Sequence, residues 1–151
     1  MKSDDPELEK RRQEMIDRVQ KMDALILSIL KAHLLAEKCM EDYILASGFK
    51  KRWLNKRFSE KMKKCRTLAK SESGDPLWSV LEAANDLRNT VAHTLEIEKI
   101  NEKMSVLKAK YFACLTEKQV DGLKDQPDDF LAMSACSTCA GFVATLQSRI
   151  P

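Results

Sequence analysis

At 151 residues the chain is the size of one domain and can enclose a single hydrophobic core. Hydrophobic residues at 44% and charged residues at 32% disfavour both disorder and a membrane span. The net charge of +3 hides an asymmetry: residues 50–70 hold ten bases and one acid, so +9 falls there against −6 elsewhere.

The opening stretch, MKSDDPELEKRRQE, has no apolar segment of the kind a secretory signal needs, so a cytoplasmic protein is expected. Asp5-Pro6 reads as a helix start, with Glu7 and Glu9 in the first turn where the helix dipole favours acids. A helical period follows through Ile16, Val19, Met22, Ile26, Ile29, His33, Met40 and Ile44, and nothing interrupts it before Ser47-Gly48. A helix of that length is expected to kink or split. The apolar run at residues 24–35 contains Ser28, Lys31 and His33, too short and too polar to cross a bilayer, so no membrane partner is expected.

Residues 49–70 read as a short linker and a second, strongly basic helix. Lys50, Lys51, Arg52, Lys56, Arg57, Lys61 and Lys64 are candidates for gripping RNA phosphates, and Phe49, Trp53 and Phe58 lie among them. Cations beside stacking aromatics suit single-stranded RNA, while the same aromatics could serve only the core. SESGDP marks a loop, and a third helix spans Leu77 to about His93. Thr94 is expected to cap a fourth helix through Ile97, Ile100, Met104, Leu107, Tyr111 and Cys114. DGLKDQPDD reads as a second loop, with Asp125 or Pro127 opening a last helix to about Gln147. No strand pattern appears. The fold expected is therefore all-α, one domain, a bundle of about four or five helices.

Five cysteines without an export signal point to buried thiols rather than disulfides. Cys136 and Cys139 form a CxxC with no second pair at metal-ligand spacing, inside a predicted helix. Glycine-rich phosphate loops, paired metal carboxylates and a serine or cysteine triad are also absent from the sequence, so no metal or cofactor is expected.

The informative stretch is Leu87-Arg88-Asn89-Thr90-Val91-Ala92-His93. At about 100° per residue, Asn85, Arg88, Asn89, Ala92, His93 and Glu96 fall on one side of the third helix. An imidazole can take a proton from a ribose 2′-hydroxyl or give one to a leaving oxygen, and a guanidinium can meet a phosphorane's growing charge in two-pronged fashion. Asn89 would orient His93 or hold the phosphate. His33, the only other histidine, pairs with Glu37 at i, i+4 on the first helix, with Glu41 one turn further on. It reads as a core histidine or as support for the motif, together with Glu37 and Asn85. With one motif histidine per chain, acid and base roles are most simply filled by two copies. A bland alternative has Arg88 pairing with an acid and His93 capping a helix end.

The spacing R-N-x-x-x-H resembles the R-x4-H signature of the HEPN superfamily. LEAANDLRNTVAHTLEIEKI is similar to the second half of bacterial HEPN and mannitol-repressor-like domains, and ILKAHLLAEKCMEDYI resembles their first long helix, so the likeness spans residues 25–111. The resemblance implies an all-α twofold dimer and a metal-independent endoribonuclease, a toxin or defence effector held by an antitoxin protein. It places Arg88, Asn89 and His93 in the active site. Some HEPN toxins carry a modifiable tyrosine two residues after the histidine; Leu95 stands there instead. The mannitol-repressor likeness implies an alternative, a non-catalytic helical regulator that binds protein or nucleic acid.

Overall fold

The computed structural model describes residues 5–70, 76–94 and 96–151, so Leu95 and all but the last residue of the SESGDP segment lie outside the described residues. Helix α1, Pro6–Ala46, is a single helix of 41 residues, about 60 Å long. The expected split does not occur, since neither proline nor glycine interrupts the helix after its first residue. Asp5 caps its start by accepting from the Glu7 amide at 3.0 Å. Gly48, with φ 93°, stops it in the left-handed region that favours glycine.

A 3-10 turn at Lys51–Asn55 then leads to α2, Phe58–Ala69. Glu60, the single acid of the basic stretch, accepts from the Arg57 amide at 2.9 Å and so finishes the start of α2. Helix α3, Leu77–His93, has the bounds expected. Helix α4 runs Ile97–Ala113, and its cap is Glu96 rather than Thr94. The Thr94 hydroxyl acts just ahead of the helix, accepting from the Glu96 amide at 3.0 Å.

A sixth α-helix was not expected. Helix α5, Glu117–Leu123, runs into the segment read as a loop. Its signal is Thr116-x-x-Gln119, a reciprocal cap in which the Thr116 amide donates to Gln119 at 2.9 Å and the Gln119 amide to Thr116 at 3.3 Å. Helix α6, Asp128–Ser148, begins right after Pro127. Six α-helices and one 3-10 turn, with no strand, make up the described residues.

Helix α6 has its most extensive contact with α1 and also packs on α3 and α4. It is long and apolar enough to cross a membrane by length and composition, with mean hydropathy 1.4 over its most apolar window. The apolar run noted in α1 is thus not the most apolar helix. Here Leu131, Ala135, Cys139 and Val143 of α6 are buried in the core with Trp78, Leu81 and Leu87 of α3 and Met104 and Leu107 of α4. Tyr111 brings a hydroxyl into this packing and satisfies it on Ser134 at 2.8 Å.

Candidate functional site

Helix α3 has two faces. Trp78, Leu81, Ala84, Leu87 and Val91 enter the core, whereas Asn85 and Arg88 are half-buried and Asn89, Ala92 and His93 are exposed. The polar group therefore occupies the open side of the last two turns, as the helical spacing indicated. Arg88 donates from Nη1 to the Asn89 side-chain oxygen at 3.3 Å, and among the described residues it forms no ion pair with an acid. The bland alternative had Arg88 paired with an acid.

Behind this surface lies a buried polar cluster. His33 of α1 is only 6% exposed; its Nε2 lies 3.1 Å from Asn85 Oδ1, and its ring stacks on Phe58 of α2 at 4.0 Å between centroids. Burial pulls the His33 imidazole below its ordinary value, and the nearby Arg88 and Lys61 charges act in the same direction. The Asn85 hydrogen bond and Glu37 pull the other way. The neutral ring donates from Nε2 to Asn85, which fixes the asparagine just before the motif. His33 is thus a core histidine whose one side-chain hydrogen-bond partner among the described residues is Asn85 of α3.

Lys61 corrects one expectation. It was placed on the RNA-facing surface, yet it is 1% exposed, and its Nζ lies 2.7 Å from Glu37 Oε1 and 2.6 Å from Glu41 Oε1. The reason lies in the α2 period: Phe58, Lys61 and Cys65, spaced three and four apart, share its inner face. Burial alone would lower the Lys61 ammonium, but the hydrogen bonds it donates to the two carboxylates outweigh that and raise it above the ordinary lysine value. Two acids at i, i+4 within the long apolar period of α1 were the available sign that α1 awaited a buried cation.

The other basic candidates stay outside. Lys50, Lys51, Arg52, Lys56 and Arg57 are exposed, and Lys64 is half-buried. The aromatics divide. Phe58 joins the core, while Phe49 and Trp53 sit half-buried at the edge, 6.0 Å apart in an edge-on arrangement. The Lys64 ammonium lies 3.9 Å from the Phe49 ring centre and 5.3 Å from that of Trp53. A stacking base would therefore have to displace this lysine. Arg57 immediately precedes Phe58, so the cationic surface begins one residue from the ring that covers His33.

Cys136 and Cys139 are buried on α6, and burial pushes the Cys136 thiol up to about 12. Among the described residues no group of three His, Cys, Asp or Glu is placed to hold a metal ion. No protein-family model, curated protein or solved structure matches the chain.

Proposed function

We propose that the chain is a metal-independent endoribonuclease of the HEPN type, working in the cytoplasm as a toxin or defence effector restrained by an antitoxin protein. The observation that carries this reading is the open end of α3. An arginine without an acidic partner among the described residues shares that surface with Asn89 and an exposed histidine. The buried His33–Asn85 contact holds the base of the group in place.

In the proposed reaction His93 takes the proton of a ribose 2′-hydroxyl as that oxygen attacks the adjacent phosphorus. Arg88 meets the charge that builds on the phosphoryl oxygens, and Asn89 helps hold the guanidinium. The 5′-oxygen leaves with a proton from a second imidazole, contributed by the His93 of another copy across a twofold axis. The products are a 2′,3′-cyclic phosphate and a 5′-hydroxyl. Cleavage is expected to persist in excess EDTA and to leave the cyclic phosphate, as read by end-group analysis of the fragments. Activity recovered only on adding magnesium or zinc would refute the mechanism.

RNA would approach over the cationic surface of the 3-10 turn and the start of α2. Replacing Lys50, Lys51, Arg52 and Lys56 by glutamine is expected to weaken RNA binding and lower its salt slope by about 2 to 3, at about 0.7 per phosphate contact. An unchanged slope in a filter-binding titration would assign these charges to solubility.

A further inference from the structure

The N-terminal part of α1 stands clear of the bundle, and residues 5–21 are all exposed. Its charges are unevenly placed. Lys10, Glu14, Asp17 and Lys21 take one side, at about 100° per residue, and Leu8, Met15, Ile16 and Val19 the other. That apolar side continues without a break to Leu27, Leu30 and Leu34, and these seven side chains are 36% to 68% exposed. An apolar band of this length on a free helix marks an interaction surface.

Besides Glu9, which lies at the band's margin in line with Leu27, two charged residues fall within the band between Leu8 and Leu34: Arg12 and Asp23. They are opposite in sign and eleven residues apart, just over three full turns, so they share the same side. Among the described residues Asp23 forms no ion pair, and Arg12 has only a solvent-exposed contact with Glu9 at 3.9 Å. We propose that this band docks on the same band of a second copy, the two α1 helices running antiparallel with Arg12 of each opposite Asp23 of the other.

The band's own pattern sets the register. Antiparallel pairing about a twofold axis between residues 17 and 18 places Arg12 against Asp23 twice. It also places Leu8 against Leu27 and Ile16 against Val19, each twice. Parallel pairing in register would instead face Arg12 with Arg12 and Asp23 with Asp23. It would also drive the two bundles together, since α3 and α2 cover α1 from His33 and Glu37 onward. The antiparallel arrangement sends the bundles to opposite ends. Each helix then finishes beside Leu27 and Leu30, which stay exposed on the band although the bundle already covers the other side of α1 at Leu25 and Ile29.

This contact lies apart from the catalytic proposal. His33 is about fifteen residues from the axis, so the two candidate sites would sit about 45 Å apart along the helix pair. The helix pair cannot itself bring two copies of His93 together.

Charge reversal tests the pairing on the full-length chain, with association read by sedimentation velocity and light scattering. Arg12→Asp and Asp23→Arg alone are each expected to weaken association by roughly tenfold, because each puts two like-charge contacts in the interface. The double reversal R12D/D23R is expected to return it to within about threefold of the parent. Both positions are exposed, so the helical circular-dichroism signal should be the same in all four proteins. The proposal is overturned if the parent chain is monomeric at tens of micromolar. Single reversals that associate like the parent, or a double reversal no better than the singles, would overturn it too. A monomeric parent would remove the twofold catalytic site as well, but the other outcomes separate the two proposals: a chain that never cleaves RNA leaves the reversal pattern readable, and a lost pattern leaves cleavage to be judged on its own.

Discussion

His93→Ala is expected to abolish RNA cleavage, with a rate loss of about 10⁴-fold or more, while thermal melting stays within a few degrees of the parent. General acid–base catalysis contributes about 10² to 10⁴-fold per group, and in a twofold site one substitution removes both imidazoles. The residue is exposed at the last position of α3, so alanine removes no packing there. Arg88→Lys is the more discriminating change. Lysine keeps the charge but loses the planar pair of donors, so a role in the transition state predicts about 10²-fold slower single-turnover cleavage with little loss of RNA affinity. Single-turnover rates beside melting curves decide the matter. If both variants melt early and the folded fraction cleaves like the parent, Arg88 and His93 are structural, and the non-catalytic regulator becomes the better reading.

Lys61→Met is expected to destabilise the fold by about 2 to 4 kcal/mol, a fall of roughly 5 to 12 °C in Tm for a domain of this size. The ammonium is buried and is shared by two carboxylates that are themselves only 24% and 19% exposed. Removing it leaves two like charges facing each other in a largely dry site. Adding Glu37→Gln and Glu41→Gln to Lys61→Met removes that repulsion and should recover most of the loss, since replacing a whole buried ionic group is often close to neutral. The Lys61 ammonium is raised on folding. Its contribution is therefore complete below the ordinary lysine value of about 10.4 and is lost as pH climbs through the higher folded value. The gap in Tm between parent and Lys61→Met should stay constant from neutral pH to about 10 and shrink above it. A gap of less than a degree at neutral pH would show that the cluster does not hold α1 and α2 together.

Much of the architecture was legible because helix signals are local. Pro6 behind a capping Asp5, the stop at Gly48 and the extent of α3 can each be read from a few neighbouring residues. Helix α5 was equally local in its Thr116–Gln119 cap, and it was missed because the Gly122 and Pro127 nearby read as loop punctuation. The continuity of α1 was harder to judge. Sequence patterns carry no penalty for length, whereas α6 braces the second half of α1 along its core face.

By itself the sequence determined the all-helical class, the side of α3 that carries Asn85, Arg88, Asn89 and His93, and the charge imbalance of residues 50–70. These depend on spacing along one chain segment, which a helix turns directly into faces. Only the tertiary structure decided which members of each group remain at the surface. Lys61 and Lys64 are three residues apart in one basic run. One is buried between Glu37 and Glu41, and the other lies over Phe49 at the edge. Likewise His33 became the support for Asn85 because α2 and α3 meet α1 at that turn, 52 residues from its hydrogen-bond partner. A buried charge or imidazole is settled by what packs against it from elsewhere in the chain, and no local period encodes that partner.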